Sequence, residues 1–281
     1  MDDPLAPLIR SLHGEGRVRV WSVVITIFGD VVHHRGGSIT MGRLQSLIER
    51  LGIEPGALRT ALSRLARDGW VVRSRNGRNS TYRLSPMGQR EFGPAMARVY
   101  TPPREAPLEH WILACGTNPP AAEALRVGDG VWLLPGAGGT GEAPDISGHL
   151  AVSGALENLP EDFREKMVSP AHRSAIEALA ADVACALAMA RGNPAPLDAL
   201  AARVMIIHRW RRIVLKYPDI PAEIRPAGAP DARRLVAEAY HALLPASEKW
   251  LDGPQCDHPP LPEADENLFR RFRRGYMAPV I

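Results

Sequence analysis

Residues 39–84 combine two amphipathic helical patterns, a short turn and an arginine-rich hairpin without interruption. The first helical pattern opens at Thr40, a favourable N-cap, and closes at Gly52, which suits the left-handed residue after a helix. The second begins near Pro55, because proline fits the first turn of a helix, and stops at Gly69. Two adjoining helices followed by a hairpin restrict the fold strongly, and they predict a DNA-reading element.

The second of these helical patterns has two chemically different faces. At about 100° per residue its leucines fall on one side, while three arginines and two hydroxyl side chains occupy the opposite arc. Arginine bonds guanine bidentately in the major groove, and all these side chains can also grip phosphate. The alternative for such a helix considered alone is an ordinary solvated charged face. Arg59 is predicted to contribute to sequence preference. The predicted DNA contacts of this helix are Arg59, Thr60, Ser63, Arg64 and Arg67.

A predicted β-hairpin follows over residues 71–84, with an Asn-Gly turn signal at its tip. Arginines on both strands give this narrow ribbon positive charge, suited to lying along phosphates or entering a minor groove. Helix, turn, helix and basic hairpin in this order are typical of a winged helix. Arg75 and Arg78 at the tip are predicted to hold DNA of any sequence. The predicted DNA contacts of the hairpin are Arg73, Arg75, Arg78, Asn79 and Arg83.

Positive charge is concentrated in this part of the chain. The whole sequence carries only +3, whereas residues 17–90 hold thirteen arginines, no lysine and four acids, a net charge of +9 that leaves −6 for the remainder. A confined positive field suits phosphate binding, and each neutralised phosphate steepens the salt dependence of affinity by a log–log slope of about −0.9. Arginine without lysine also favours forked, planar contacts. Double-stranded DNA is therefore the predicted partner.

The chain of 281 residues with 45% hydrophobic content is long enough for two or three domains. Residues 1–16 lack the basic start and apolar core of a signal peptide and are predicted to be a flexible tail. Residues 17–100 are predicted to form the DNA-binding domain, with a supporting helix over 17–32 and a trailing helix that opens at Ser85. The proline-rich residues 101–107 are a predicted linker.

Beyond the linker, helix and strand alternate, which predicts a small mixed domain over residues 108–165. Its predicted elements are strands over 111–114, 131–134 and 149–156 and a short helix from Pro120 to Leu125. Residues 166–281 are predicted to form a helical domain, with helices over 171–190, 197–217, 230–244 and 265–275. The predicted fold class is therefore α+β.

Other motifs point away from metal, membrane and phosphate-loop chemistry. The three cysteines are widely separated, which predicts a reducing cytoplasm. His33-His34 and Cys256-Asp257-His258 lack a second ligand pair at metal-binding spacing, so no metal site is predicted. The glycine-rich residues 136–141 lack the Gly-Lys-Ser/Thr ending of a phosphate loop and are predicted to be a hairpin turn. The most apolar run, residues 18–32, is too short and polar to span a bilayer. No catalytic residue or cofactor is predicted.

The predicted helix around His208 carries apolar residues nearly all round, which predicts packing on two sides. His208 and Arg211 fall close to its Val204 side, so at least one of them is predicted to be partly buried beside an acceptor. Two alternatives follow: a structural ion pair with an acid such as Asp198 or Glu238, or a pocket for an anionic small molecule.

Four motifs spread over most of the chain occur together. They are Phe28-Gly29-Asp30, the run 58–65 leading into Asp68-Gly69-Trp70, Tyr82-Arg83-Leu84-Ser85, and the run 208–212 followed by Asp219-Ile220-Pro221. In combination they resemble the bacterial PaaX-type transcriptional repressors of phenylacetic acid degradation. The resemblance implies an N-terminal winged helix-turn-helix, a middle ferredoxin-like domain similar to Cas2 proteins, and a helical C-terminal domain for dimerisation and effector sensing.

The same resemblance implies a homodimer, cytoplasmic and associated with the nucleoid, that binds operator DNA as a repressor of phenylacetate or related aromatic catabolic genes. It further implies release by an aryl-acyl-CoA effector, typically phenylacetyl-CoA. No motif of the family identifies the effector pocket, but arginine forks bind the phosphate groups of a CoA ester well. The candidate effector contacts are His208, Arg209, Arg211 and Arg212.

The likeness to Cas2 raises an alternative, a metal-dependent nuclease acting through the middle domain. Its predicted first strand continues into Gly116-Thr117-Asn118, with no acid there to hold a metal, so a regulator without enzymatic activity is predicted. A third alternative, an acyl-CoA-binding enzyme with an accessory DNA module, lacks an evident pair of nucleophile and base.

Overall fold

The computed structural model describes residues 3–14, 16–76, 79–121, 124–136, 145–255 and 258–276. Helices and strands are mixed, which confirms the α+β class. The chain divides into two compact units whose sequences interleave. The first unit consists of Met1–Pro103, Leu179–Arg212 and Ala232–Ile281, and the second of Arg104–Ala178 and Ile213–Asp231.

The N-terminal part of the first unit has the order helix, helix, strand, helix, helix, hairpin, helix. Its elements are α1 Ala6–Gly14, α2 Val20–Ile27, a turn of π-helix Phe28–Val32, β1 Ser38–Thr40, α3 Met41–Arg50, α4 Pro55–Arg67, β2 Val71–Asn76, β3 Asn79–Leu84 and α5 Pro86–Tyr100. The strands form an antiparallel sheet in the order β1-β3-β2.

Local signals explain most of these boundaries. Thr40 caps α3, its side-chain oxygen accepting from the backbone N–H of Arg43. Gly52 follows α3 with a φ of +72°, a conformation that favours glycine. Ser85 caps α5 by accepting from the N–H of Gly88 at 2.9 Å. The predicted starts of α3, α4 and α5 are therefore confirmed.

The predicted flexible tail is wrong over α1, which is an ordered helix. Leu5 and Leu8 are buried, and Asp3 accepts a hydrogen bond from the N–H of Leu5 at 2.9 Å. Asp3 also pairs with Arg50 of α3 at 2.6 Å. Leu5, Leu8, Ile9 and Leu12 follow the i, i+3, i+4, i+7 spacing of an amphipathic helix, so the sequence does carry a signal for this helix.

The second unit contains a four-stranded sheet that is antiparallel throughout, in the order β5-β6-β4-β7. The elements of this part of the chain are β4 Trp111–Cys115, β5 Leu125–Gly128, β6 Val131–Pro135, β7 Leu150–Gly154 and α6 Glu161–Met167. Trp111, Leu125 and Leu133 pack with Met167 and Ile224 in its core.

The predicted helix from Pro120 to Leu125 is wrong at every residue of it that the structure describes. Pro120, Ala121 and Ala124 are not helical, and Leu125 begins β5, which the sequence analysis missed. The alternation of β5 turns Leu125 into the core. In the predicted glycine-rich turn, residues 137–141 lie outside the described part of the chain.

The remaining elements are helical: α7 Pro170–Arg191, α8 Pro196–Val214, a short 3-10 turn Ala222–Ile224, α9 Ala232–Asp252 and α10 Glu266–Arg270. Residues 166–281 were predicted to form a separate domain. The contacts do not group them in this way, because Leu179–Arg212 and Ala232–Ile281 belong to the first unit. The cause is a network of buried charges that joins these segments to α2 and α5.

Asp30, in the π-helical turn after α2, is the centre of that network and is fully buried. Arg203 of α8 donates from Nε to one carboxylate oxygen of Asp30 at 2.8 Å. Arg271 donates to the other oxygen at 2.9 Å, and the Tyr100 hydroxyl donates to that same oxygen at 2.8 Å. Asp30 therefore binds α8, α5 and the C-terminal segment together.

Glu248 of α9 extends the network away from Asp30. It accepts from Arg203 at 2.5 Å and from the Nε of Arg35 at 2.8 Å. Arg35, itself buried, also pairs with Asp252 at 2.9 Å. Buried charges are tolerated only when they are paired in this manner, so each link depends on its neighbours.

Candidate nucleic-acid interface

Helix α4 presents its two faces as the sequence predicts. Leu58, Ala61, Leu62 and Leu65 are buried. The opposite face is exposed and consists of Arg59, Thr60, Ser63, Arg64 and Arg67. A role of these five residues in DNA binding stays a prediction, but their side chains are accessible to a ligand.

Part of this exposed face is already restrained by hydrogen bonds. Arg64 and Arg67 both approach Asp68 through their Nε atoms, at 3.5 and 3.3 Å, while remaining 60% and 76% exposed. Such exposed ion pairs add little stability but limit side-chain motion. The Thr60 hydroxyl donates to the carbonyl of Gly56 at 3.0 Å, which leaves its oxygen able to accept.

The register of the hairpin separates its arginines onto two faces. Arg73 lies opposite Tyr82, and Arg75 lies opposite Ser80. Since opposed residues share a face, these arginines lie on the face that carries buried Tyr82. Arg83 lies opposite Val72 on the other face, as does Asn79 opposite Asn76. Arg78 lies outside the described residues.

A groove of about 440 Å³ between α4 and the hairpin brings some of the predicted contacts together. Arg59 and Ser63 line it from α4, and Arg73 lines it from β2. The Nε and one terminal nitrogen of Arg73 donate to the Ser80 hydroxyl, at 3.1 and 2.7 Å. The structure thus unites Arg59, Ser63 and Arg73, while Arg83 lies on the far side of the hairpin.

The net charge of +9 over residues 17–90 is larger than the positive charge available to DNA on this surface, because three of the arginines pair with groups of the protein itself. Arg35 is paired with Glu248 and Asp252 in the buried network. Arg50 pairs with Asp3 and with Asp198, each at 2.6 Å. The partners lie in distant segments, so these pairs could not be predicted from local sequence patterns.

Arg43 is the third internal arginine and is fully buried. Its guanidinium donates to the carbonyls of Pro259 at 2.8 Å, Trp250 at 3.1 Å and Gly253, and it lies over the Trp250 ring. Burial lowers the pKa of Arg43 below its ordinary value. This arginine therefore fastens α3 to the end of α9.

The candidate effector contacts lie on α8 but point to different neighbours. His208 is buried, and its Nδ1 lies 3.0 Å from the Thr26 hydroxyl. Burial lowers the pKa of His208 to about 3, and the positive charges of Arg211, Arg212 and Arg209 act in the same direction. His208 is therefore neutral at physiological pH and serves as a hydrogen-bonding group of the core.

The three arginines of this motif have separate environments. Arg209 pairs with Asp182 at 2.5 Å and donates to the Ser11 hydroxyl at 2.7 Å. Arg211 donates to the Ser22 hydroxyl at 3.3 Å, whereas Arg212 is exposed.

Among the described contacts, the structural ion pair predicted for His208 or Arg211 is not found: His208 bonds to the Thr26 hydroxyl and Arg211 to the Ser22 hydroxyl. An ion pair forms at Arg209 instead. Its acid is Asp182 rather than either predicted acid, since Asp198 pairs with Arg50 and Glu238 is exposed.

Within the described ranges, no group of three or more histidine, cysteine, aspartate or glutamate side chains is placed to hold a metal ion. Among the helices that the structure describes, none combines the length and apolar character needed to cross a membrane.

Two family models match the chain. The PaaX-like protein model matches residues 19–88, and the PaaX-like protein C-terminal domain model matches residues 163–253, which together make up more than half of the chain. This chain belongs to the PaaX-like family. The first match contains α4 and the hairpin, and the second contains the His208 motif. The two matches also hold the two ends of the buried network, Asp30 and Glu248.

A curated relative supports the same membership. Transcriptional repressor PaaX of Escherichia coli (strain K12) is 27% identical over an alignment of 282 positions, which covers 89% of this chain and 89% of that protein. The similarity thus extends across both units of the PaaX-like fold, including the segments between the two family matches. The resemblance deduced from four short motifs is confirmed.

Proposed function

We propose that this PaaX-like protein is a transcriptional repressor that binds double-stranded operator DNA through α4 and the β2–β3 hairpin. The observation that carries the proposal is the exposed arc of α4, whose three arginines and two hydroxyls lie beside a basic groove. These are the side-chain types that read guanine and grip phosphate. The name of the Escherichia coli relative, a transcriptional repressor, supports it.

The finer fold assignment is part of the same proposal. The order α2, β1, α3, α4, β2, β3, with a sheet in the order β1-β3-β2, supports a winged helix-turn-helix. The antiparallel order β5-β6-β4-β7 supports a ferredoxin-like, Cas2-like domain in the second unit. The described residues between β4 and β5 contain no helix, so this domain is a reduced form of that fold.

Family membership supports a further proposal about the regulated genes and the effector. We propose that the protein acts on nucleoid DNA in the cytoplasm, at phenylacetate or related aromatic catabolic genes, and that an aryl-acyl-CoA such as phenylacetyl-CoA releases it. Of the four candidate effector contacts, Arg212 is the one whose exposure suits a CoA phosphate. Arg209 is committed to Asp182, and His208 is neutral and buried.

The proposal is tested by selecting duplexes from a random library with the purified full-length protein. We expect enrichment of one palindromic sequence, with half-sites spaced by about one helical turn or a multiple of it. Phenylacetyl-CoA is then titrated into the complex, with free CoA as the control. A hundredfold loss of affinity would correspond to about 2.7 kcal/mol of coupling. A library without enrichment would overturn the DNA role, and an enriched duplex indifferent to every aryl-CoA ester would overturn the effector role.

We also propose that the protein is a homodimer, paired through the free edge of the sheet in the second unit. On strand β7, Leu150 is 74% and Val152 is 65% exposed, and the neighbouring Leu113 of β4 is 41% exposed. An apolar edge strand with unpaired backbone groups favours pairing with another strand, and a second copy supplies an identical one. This surface replaces the C-terminal helices as the preferred place for dimerisation.

Val152→Lys is expected to convert the dimer to a monomer of 30.6 kDa, because a lysine on an edge strand opposes its pairing with another strand. Sedimentation equilibrium measures the mass of each protein. Phe163→Lys is the matched control, since it changes another exposed apolar side chain of the same unit and should leave the mass unaltered. A Val152→Lys protein that keeps the wild-type mass would contradict the interface.

A further inference from the structure

We propose that the groove between α4 and the hairpin holds one phosphodiester group of the DNA backbone, bound by Arg59 and Arg73 together. This inference rests on the proposed DNA-binding function and deepens it. It assigns Arg59 to the backbone rather than to a base, in contrast to the expectation from the sequence.

The groove carries positive charge on both of its walls. Arg59 contributes from α4 and Arg73 from β2, and the lining contains no aspartate or glutamate among the described residues. Ser63 and Ser80 add hydroxyl groups, while Leu62 and Tyr82 make an apolar floor. The guanidinium and hydroxyl groups of such a site suit a phosphate, and its apolar surface suits a deoxyribose.

The presence of two arginines favours a phosphate over a base. Guanine offers its O6 and N7 to a single bidentate arginine, whereas a phosphodiester carries a full negative charge on two oxygens that can accept from two guanidinium groups. Because Arg59 and Arg73 reach the groove from separate elements, one ligand that satisfies both must accept hydrogen bonds on two sides. The backbone is the part of DNA that does so.

The position of Arg59 on α4 leads to the same assignment. On a wheel of about 100° per residue, the direction opposite the buried leucines runs between Thr60 and Arg67. Arg59 lies about 85° from that direction, on the side of the hairpin. A helix in the major groove meets base edges with its outermost residues. Thr60 and Arg67 are therefore placed for base contacts, and Arg59 is placed for the flanking strand.

Ser80 has a positioning role in this arrangement. Its hydroxyl accepts from two nitrogens of Arg73, at 3.1 and 2.7 Å, across the hairpin. That hydroxyl faces the groove together with Arg73, so it holds the guanidinium ready before DNA arrives. An arginine fixed in advance loses less side-chain freedom on binding.

The test measures binding of a 30-base-pair duplex of arbitrary sequence by fluorescence anisotropy at several salt concentrations. Arg59→Ala and Arg73→Ala are each expected to make the log–log salt slope shallower by about 0.9, which corresponds to about an eightfold loss of affinity at 0.1 M salt. The double variant Arg59→Ala/Arg73→Ala is expected to change the slope no further, because the single phosphate is held only when both arginines are present and is already lost in either single variant. Arg126→Ala removes the same charge from an exposed residue, 68% accessible, and is expected to keep the wild-type slope.

Two more variants distinguish a backbone contact from a base contact and a positioning role from a direct one. Binding-site selection with Arg59→Ala should enrich the same sequence as the wild type. Ser80→Ala should weaken duplex binding when Arg73 is present and have no effect in the Arg73→Ala background.

The possible outcomes distinguish a failure of the groove assignment from a failure of the proposed DNA-binding function. Failure of the wild-type protein to bind any duplex would overturn both. Duplex binding with slopes unchanged in the groove variants would overturn the groove assignment alone. A different sequence enriched by Arg59→Ala, or a double variant with twice the slope change, would do the same.

Discussion

Replacing Asp30 by asparagine is expected to lower the free energy of unfolding by about 3–5 kcal/mol. The substitution keeps the size of the side chain but removes the charge that two buried arginines share, Arg203 at 2.8 Å and Arg271 at 2.9 Å. Arg203 retains Glu248, but Arg271 keeps only neutral acceptors among the residues described. An uncompensated charge of this kind cannot reach water, since both guanidinium groups are fully buried.

Urea denaturation of the full-length protein, followed by circular dichroism, measures this loss. The matched control is Glu266→Gln, which neutralises an acid that is 85% exposed and pairs with Arg270 on the surface. That change should cost less than about 1 kcal/mol. If Asp30→Asn unfolds at the same urea concentration as Glu266→Gln, the network does not stabilise the first unit.

Gly29→Ala is expected to destabilise the protein at the upper end of the range for overpacked cores, about 1–3 kcal/mol. A Cβ atom at this position would lie 1.7 Å from the ring of Phe92, which is itself buried. The ring cannot move aside without disturbing its own packing. In addition, the carbonyl of Gly29 accepts from Arg271 at 2.6 Å, so a displaced backbone would strain the Asp30 network as well.

The cause is tested by a double-mutant cycle with Phe92→Ala. If the ring is responsible, the added methyl group costs much less in the Phe92→Ala background, because the space is then free. An equal cost in both backgrounds would show that the π-helical turn, and not the ring, requires glycine. The measured quantity is the free energy of unfolding of all four proteins.

Local signals in the sequence predicted the elements around the proposed DNA-binding surface well. Thr40, Gly52 and Ser85 mark helix boundaries through bonds that form within a few residues of each other. The two faces of α4 could be predicted because a single helical periodicity continues over thirteen consecutive residues. By contrast, the helix predicted from Pro120 rested on a short apolar run, for which helix and strand are hard to distinguish.

Contacts between distant segments could not be predicted in the same way. Arg203 and Asp30 are separated by 173 residues, so nothing near either residue indicates the pair. The division of the chain into interleaved units depends on such pairs. The charge count of the N-terminal segment failed for the same reason, because the acceptors of Arg43 lie beyond residue 249.

The sequence predicted which residues of α4 are exposed at the candidate site, but it did not predict how the residues of the site are arranged in space. All five residues of the exposed polar face of α4 were predicted from the sequence. The separation of Arg73 from Arg83 follows from the alternation of strand side chains, a signal that was present in the sequence and was not used. The pairing of Arg59 with Arg73 across a groove requires the docking of the hairpin against α4, which only the tertiary structure provides.

The internal arginines have an evolutionary consequence. Arg35, Arg43 and Asp30 lie in the segment that carries the proposed DNA-binding surface, yet their bonds are completed by residues between positions 203 and 271. Recombination that transplanted this segment onto another protein would leave these charges buried and unpaired. We therefore expect this segment to be exchanged only together with the C-terminal helices, and its surface to change by substitution.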